Sequence, residues 1–226
     1  MKHPVPSDKI LQIRELLRDR FPEAHTSQSV EGANALLSGI GVLDRLEVAG
    51  GGMTEAVSEV PGRGACLLLG EVIREAGVQR RPVVLIDACD TFDPQSLPLS
   101  GCQSLLWIRC QSAQNAVKAA DLLLRDGNLT LILMDLERCP LQDLRRIPAS
   151  SWHRMRMLTE KASSLCLAFT PVKIIPRAAT RILFDHPYLP GTLETPRDLL
   201  RGMLEFRVAG NSSEEITPAL PAIASS

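Results

Sequence analysis

The sequence predicts an α/β fold in which a mostly parallel central sheet is flanked by helices. Between about residues 54 and 170, apolar runs of strand length alternate with amphipathic stretches of helical length. Most of the apolar runs carry no polar face, which is typical of parallel strands buried on both sides. Glycine-containing turns separate many of these segments, as expected where one element ends and the next begins.

Each predicted element follows from its own pattern. The stretch "RPVVLIDA" (81–88) contains an unbroken apolar run before Asp87, which is typical of a buried strand. Gly77 and Gly127 each follow a helical stretch, and glycine commonly ends a helix. The apolar face of the helix at 112–127 consists of Ala113, Ala116, Val117, Ala120 and Leu124. In order, the predicted elements are a strand at 54–60, a helix at 64–76, strands at 81–88 and 103–110, a helix at 112–127, a strand at 129–135, a helical stretch at 141–162 interrupted at Pro148, and a strand at 164–170.

The last part of the chain has a weaker pattern. The stretches at 180–185 and 202–209 are predicted as antiparallel edge strands. The tail at 210–226 lacks apolar residues in a core-forming pattern and is predicted to be disordered. The domain division is therefore an N-terminal helix and linker (1–35), a core domain (36–209) and a tail (210–226).

The N-terminal stretch at 7–21 is predicted to form an amphipathic helix. Its apolar stripe consists of Ile10, Ile13, Leu16 and Leu17, which recur at helical spacing, and Pro22 ends the helix. A polar, weakly patterned stretch follows, so the helix is expected to be an arm set apart from the core. The stripe must pack either on its own domain or on a partner protein, and the pattern leaves both alternatives open.

The composition bounds the possible functions. The 25 basic and 26 acidic residues give a net charge of -1, so no overall attraction to nucleic acid is expected. The six cysteines lie singly in apolar segments, and neither they nor the four histidines show metal-ligand spacing. No apolar run is long enough to span a membrane. We therefore expect a cytoplasmic protein with no metal, no membrane partner and reduced thiols.

The stretch "EVPGRGACLLL" (59–69) has the form of a phosphate-binding loop but lacks its chemistry. Such a loop reads G-x-x-x-x-G-K-[ST], in which the lysine reaches the outer phosphates and the hydroxyl group holds magnesium. Gly64 matches the last glycine, whereas Glu59 stands at the first glycine, Ala65 at the lysine and Cys66 at the hydroxyl residue. Alanine carries no charge, and a thiol is a poor ligand for magnesium. We therefore predict no bound nucleotide and no other cofactor.

Two other interpretations of this loop remain open. A turn such as Gly62-Arg63-Gly64 between a strand and a helix is a common structural device that needs no ligand. Alternatively, the Arg63 or Lys173 side chain could replace the missing lysine and allow weak ATP binding.

Three further segments occur in an order that resembles the RecA recombinase core, over roughly residues 36–185. The first is the opening "GIGVLDRLEVAGGGMTEAVSEV", in which the match is carried by Leu43, Asp44, Leu46, Gly51 and Gly52. The second is "VVLIDACDTFDP" (83–94), in which the match is carried by Asp87, Ala88, Phe92, Asp93 and Pro94. The third is "LTLILMD", which places Asp135 at the position that supports magnesium in that superfamily. The catalytic glutamate of the superfamily falls on Cys89, so only Asp135 remains of the catalytic set.

Asp135 has a structural interpretation as well. An aspartate at the carboxyl end of a parallel strand can persist because it caps the turn that follows, and we favour that role here.

Within this superfamily the chain resembles the ImuA family, which is related to SulA and serves DNA-damage-induced mutagenesis. The resemblance implies a RecA-like core and a non-catalytic accessory role in translesion synthesis. Its implied partners are an ImuB-like homologue of Y-family polymerases and RecA or an error-prone polymerase. In RecA-type domains an N-terminal segment packs on a neighbouring subunit, so the stripe of Ile10, Ile13, Leu16 and Leu17 is the predicted partner-binding surface. The alternatives are a SulA-like inhibitor of cell division that binds FtsZ and a weak RecA-like ATPase.

A basic cluster at 144–157 is the candidate for DNA contact. It collects Arg145, Arg146, Arg154 and Arg156 around Trp152. Basic side chains beside an aromatic ring can follow a phosphate backbone and stack on a base. The more common interpretation of such a pattern is a solvated helix face with a buried tryptophan.

Overall fold

A computed structural model describes residues 12, 15, 19, 52–60, 62–97, 102–185, 188, 190–196, 199–200, 203–210 and 215–216. Its strands are β1 (Gly52–Val57), β2 (Val83–Asp87), β3 (Leu105–Arg109), β4 (Leu131–Asp135), β5 (Leu165–Thr170), β6 (Thr180–Leu183), β7 (Arg207–Gly210) and β8 (Glu215–Ile216). The helices with described bounds are α1 (Ala65–Val78), α2 (Ala113–Asp126), α3 (Leu141–Arg145) and α4 (Ala149–Ala162), with short 3-10 helices at Pro94–Ser96 and Pro190–Glu194. Residues 12, 15, 19, 102 and 199–200 are also helical.

The strands form one mixed sheet in the order β3-β2-β4-β5-β1-β6-β7-β8. The six from β3 to β6 run parallel, β7 is antiparallel to β6, and β8 is antiparallel to β7. The predicted α/β class with a mostly parallel, helix-flanked sheet is confirmed. The parallel arrangement brings the carboxyl ends of β1, β2, β3 and β4 to one edge of the sheet, which positions the candidate site.

Each face of the sheet has its own apolar core. Helix α1 covers one face with Leu68, Val72 and Ile73, all fully buried. On the other face, α2 presents the five predicted residues, Ala113, Ala116, Val117, Ala120 and Leu124, all of which are buried. Beside it, α4 buries Trp152 and Met155 in the same cluster. The two faces explain why β1, β2, β4 and β5 have apolar residues on both sides.

The prediction for 180–185 was wrong in its direction and its place in the sheet. Strand β6 runs parallel to β1 and lies between β1 and β7, so it is neither antiparallel to its inner neighbour nor an edge strand. A partly buried ion pair accompanies this register. Glu55, which is fully buried, lies beside Arg181, and the Arg181 Nε donates to the Glu55 Oε2 at 2.7 Å. The sequence pattern does not reveal this ion pair, because a single glutamate in a strand gives no indication of which residue will lie beside it.

Two other boundaries differ from the prediction. Residues 203–206 are not in a strand, and β7 begins only at Arg207. It is antiparallel to β6 as predicted, but β8 pairs with its other side, so it is not the predicted edge strand. The prediction that Gly77 ends α1 was wrong, because Gly77 is buried inside the helix, which continues to Val78. The residue with a left-handed backbone beyond the helix end is Arg80 (φ 56°). Packing of the helix on the sheet overrides the local preference of glycine for a helix end. Gly127, by contrast, ends α2 with φ 75°, as predicted.

The chain ends are described only in part. Gln12, Glu15 and Asp19 are helical and exposed, whereas Ile10, Ile13, Leu16 and Leu17 lie outside the described residues. Glu215–Ile216 forms β8 within the segment predicted as a tail, and the rest of 211–226 also lies outside them. Among the helices of the described part, none has the length and apolar character required to cross a membrane.

Candidate functional site

Three loops meet at the carboxyl edge of the sheet. The loop after β1 contains the turn at 59–66, called here the degenerate phosphate loop. The other two loops follow Asp87 at the end of β2 and Asp135 at the end of β4. Asp87 and Asp135 are register partners on neighbouring strands, and the Ala88 N–H donates to the Asp135 carbonyl at 3.0 Å. In open α/β sheets this edge is where ligands bind. The residues singled out from the sequence therefore lie along the same edge of the sheet, with β5 between the loop after β1 and the loops after β2 and β4.

The degenerate phosphate loop makes a tight turn into α1. Gly62 and Gly64 have φ of 84° and 106°, in the left-handed region that favours glycine. The Gly64 carbonyl accepts from the backbone N–H groups of Leu67 and Leu68 at 3.0 Å, which starts the helix. Neither Ala65, which is buried, nor Cys66, which is exposed, carries the charge or hydroxyl group that phosphate and magnesium need. Glu59 is exposed and adds a negative charge instead.

The C-terminal part of the chain covers Gly64. A Cβ atom added at Gly64 would lie 2.6 Å from the Leu204 Cδ1 and 3.3 Å from both the Cε2 and the hydroxyl oxygen of Tyr188. Leu204 is buried, and burial, with smaller effects of Cys66 and Glu205, raises the pKa of Tyr188 to about 12. The start of α1 is therefore packed beneath an apolar side chain and a protonated phenol.

The two candidate substitute cations, Arg63 and Lys173, have different surroundings. Arg63 is half-buried, and its Nε is buried without a hydrogen-bond partner among the described residues. Lys173 is exposed in the segment after β5. The donor set does not fit magnesium nucleotide, because it offers no hydroxyl at the loop and no carboxylate at Cys89.

Asp87 organises the loop after β2. It is fully buried, and its Oδ1 accepts from the N–H groups of Cys89 (3.3 Å) and Thr91 (3.1 Å). Its Oδ2 accepts from the Phe92 N–H at 2.9 Å and from the Trp107 Nε1 at 3.3 Å. The carboxylate is thus used to hold protein donors, and Cys89 is part of the turn that it holds.

The exposed side of that turn is closed by Arg109, which sequence analysis missed. Its Nε and Nη2 donate to the two carboxylate oxygens of Asp90 at 2.6 and 2.5 Å. Its guanidinium carbon lies 5.0 Å from the centre of the Trp107 ring. The Asp90 carboxylate accordingly has a lowered pKa, chiefly because of its hydrogen bond to Arg109. Arg109 stands at the end of β3, and only the sheet order shows that β3 lies beside β2.

Asp135 caps the turn after β4. Its Oδ1 accepts from the Glu137 N–H at 3.1 Å, which is the capping interaction predicted for a structural aspartate. Burial, with a smaller contribution from the nearby Asp87, raises the pKa of Asp135 to about 6, against the opposing effects of the Glu137 N–H and Arg138. In the described part of the chain, no group of three or more His, Cys, Asp or Glu side chains is placed to hold a metal ion.

The basic cluster is largely paired with acidic side chains. The Arg154 Nε donates to the Asp121 Oδ1 at 2.6 Å, and the Arg156 Nη1 donates to the Glu160 Oε1 at 2.8 Å. Arg146 lies 3.5 Å from the Asp143 carboxylate, and Arg145 is exposed. Trp152 is 2% exposed, so its ring lies in the core between helix and sheet and cannot stack on a base in this conformation.

A groove of about 470 Å³ lies between α2 and α4. Arg146 and Arg154 line it together with Lys118 and Gln114. The cluster therefore borders a surface concavity, and the aromatic element that would accompany nucleic-acid binding is buried.

Comparison with known proteins gives no assignment. No protein-family model matches the chain, and no curated protein matches it.

Proposed function

We propose that this chain is a non-catalytic, RecA-like accessory protein of the ImuA type in SOS-induced translesion synthesis and mutagenesis. It acts by binding other proteins, namely an ImuB-like homologue of Y-family polymerases and, with it, RecA or an error-prone polymerase. The proposal rests on one observation at the carboxyl edge of the sheet, at the turn that leads into α1. The turn that would hold phosphate is kept, but Tyr188 and Leu204 cover it.

The chemistry of that edge supports a role without nucleotide turnover. A triphosphate would have to displace Leu204, which is buried, and would then meet Ala65 in place of a cation. A charge-assisted hydrogen bond from a lysine contributes about 1.5–3 kcal/mol to phosphate binding, and this chain lacks it. Asp87, which ends the neighbouring strand, already accepts from four protein donors.

The surface features that remain suit protein contacts. The described positions of the N-terminal helix, Gln12, Glu15 and Asp19, are exposed, and the stripe of Ile10, Ile13, Leu16 and Leu17 stays a prediction outside the described residues. Val60, Leu199 and Met203 are each about half exposed (46–54%), and they belong to the two segments that meet at Gly64. Apolar and methionine side chains of this kind are enriched in the cores of protein interfaces.

The partner is tested by co-expression with the ImuB-like protein of the same organism. We expect the two chains to co-purify through size exclusion as a complex, and we expect deletion of the gene for this chain to abolish the rise in mutation frequency after DNA damage. Parallel co-expression with FtsZ separates the SulA-type alternative. A complex with FtsZ and none with the ImuB-like protein would overturn the proposal.

The absence of nucleotide binding is tested separately, by thermal shift with magnesium and ATP. We expect no change in Tm up to millimolar ATP, with an intact RecA recombinase as the positive control. A magnesium-dependent rise at submillimolar ATP, lost in Asp135→Ala, would favour the weak-ATPase alternative.

A further inference from the structure

Two cysteine thiols meet at the carboxyl edge of the sheet. Cys89 lies in the loop after β2 and Cys139 in the loop after β4, and their Sγ atoms are 3.3 Å apart. Strands β2 and β4 are neighbours, so the contact joins two adjacent loops that are 50 residues apart in the chain. The sequence pattern does not reveal the pair, because each thiol stands singly in its own segment.

The backbone around both thiols is held in place by hydrogen bonds. The Cys89 N–H donates to the Asp87 Oδ1 at 3.3 Å, and the Cys139 N–H donates to the Leu136 carbonyl at 3.1 Å. A disulfide bond is about 2.05 Å long, so the two sulfur atoms need to approach by only about 1.3 Å. We expect rotation of the two side chains to supply this movement.

The two thiols differ in access. Cys89 is partly exposed, whereas Cys139 is buried. Burial, the contact with Cys89 and the nearby Asp135 and Asp143 carboxylates raise the pKa of Cys139, so this sulfur stays protonated. An oxidant in solution therefore reaches Cys89 first, and Cys139 is positioned to react second.

We propose that Cys89 and Cys139 are a reversible redox pair that closes to an intramolecular disulfide when the protein meets hydrogen peroxide. In the first step the Cys89 sulfur attacks one peroxide oxygen, the O–O bond breaks, and Cys89 sulfenic acid and one water form. In the second step the Cys139 sulfur attacks the Cys89 sulfur, and the S–O bond breaks. The departing hydroxide takes the Cys139 proton and leaves as a second water. The two thiols together lose two electrons, and the peroxide gains them.

The disulfide would tie the loop that Asp87 organises to the loop that Asp135 caps. A thiol reductant reverses the reaction by exchange, since the bond lies at the surface edge through Cys89. This inference does not depend on the proposed function, because it rests on the thiol geometry alone.

The test is peroxide treatment of the purified full-length chain, followed by thiol titration under denaturing conditions and peptide mapping. We expect the loss of two of the six thiols per chain, restored by dithiothreitol, and a cross-linked pair of tryptic peptides. Cys89 and Cys102 fall in the same tryptic peptide, because no cleavable Lys or Arg separates them. The matched control is therefore Cys102→Ser, a second partly exposed cysteine, which should leave the cross-link unchanged and assign it to Cys89.

Two variants make the proposal falsifiable. Cys139→Ser should stop oxidation at Cys89 sulfenic acid, which dimedone traps, and Cys89→Ser should leave Cys139 reduced. The proposal is overturned if wild-type Cys89 proceeds to sulfinic acid while Cys139 stays a thiol, or if either cysteine is found linked to a different one. It is also overturned if Cys89 stays reduced at peroxide concentrations that oxidise the exposed Cys66.

Discussion

Asp87 shows how a residue at a nucleotide-site position can serve the fold. Its two carboxylate oxygens accept from three backbone N–H groups and one indole N–H, so the loop after β2 takes its shape from this side chain. Buried donors that lose their acceptor are costly, about 1–3 kcal/mol each.

We therefore expect Asp87→Ala to lower the free energy of unfolding by at least about 3 kcal/mol, measured by urea unfolding. The matched control is Asp93→Ala six residues further on, in the same loop. Asp93 is exposed and caps the 3-10 helix through the Gln95 N–H, so its loss should cost only about 1 kcal/mol. Equal losses in the two variants would contradict the structural role of Asp87.

Asp135 should make stability depend on pH in a defined direction. Its pKa is raised from 3.8 to about 6 in the folded chain, so between these values the folded state holds a proton more tightly than the unfolded state. The contribution of Asp135 to the free energy of unfolding therefore falls as pH rises from about 4 to about 6, and it no longer changes with pH above that window.

Asp135→Asn removes the ionisation and keeps an oxygen for the Glu137 N–H. We expect the variant to be more stable than wild type by about 1–3 kcal/mol at pH 7.5, and to match wild type near pH 4. Urea unfolding at both pH values measures the difference. A variant less stable than wild type at pH 7.5 would show that the charged carboxylate has a favourable partner.

At the scale of elements, the junction of β1, the degenerate loop and α1 depends on what packs above it. Gly62 and Gly64 both have positive φ, but only Gly64 has side chains against it: an added Cβ at Gly62 would meet nothing within 4 Å. A substitution at Gly62 therefore measures the cost of backbone strain alone, whereas the same substitution at Gly64 adds the cost of crowding Leu204 and Tyr188.

We expect Gly62→Ala to cost about 1–2 kcal/mol, from the left-handed backbone alone. Gly64→Ala should cost about 1–3 kcal/mol more, because its Cβ would overlap the Leu204 methyl group and crowd Tyr188. Adding Leu204→Ala to both should bring the two costs closer together. If Gly62→Ala and Gly64→Ala lose the same stability in urea unfolding, the C-terminal segment does not rest on this loop in solution.

The core elements show where local pattern suffices. The apolar face predicted for α2 is buried, and the helical stretch around Pro148 divides into α3 and α4 as predicted. Such patterns are local, because helical periodicity and a proline act within a few residues. The predicted direction of β6 was wrong because it depends on a strand that is distant in sequence. The neighbour β1 precedes β6 by more than a hundred residues, and the Glu55–Arg181 pair forms only when the two strands are adjacent.

At the scale of the whole molecule, the proposed function makes the N-terminal helix a partner contact. Changing its predicted apolar stripe with Ile13→Asp and Leu17→Asp should leave Tm within about 2 °C of wild type, because the core domain does not depend on it. Co-purification with the ImuB-like protein should be lost. The matched control is Gln12→Ala with Glu15→Ala, on the exposed side of the same helix, which should retain the partner.

Truncation after residue 25 gives the same comparison without new charges. A fall in Tm of more than about 5 °C in either the truncated chain or the aspartate variant would mean that the helix packs on its own domain, which is the alternative left open by the sequence.

The sequence by itself determined the order of strands and helices, the apolar faces, and the lack of a lysine and of a hydroxyl side chain at Ala65 and Cys66. These are properties of single positions and of neighbours along the chain. Only the tertiary structure decided that β6 runs parallel to β1, that Tyr188 and Leu204 cover Gly64, and that Cys89 meets Cys139. Each of these contacts joins segments distant in sequence, and their approach depends on how the sheet is ordered and how side chains fill the space between its layers, which no local periodicity specifies.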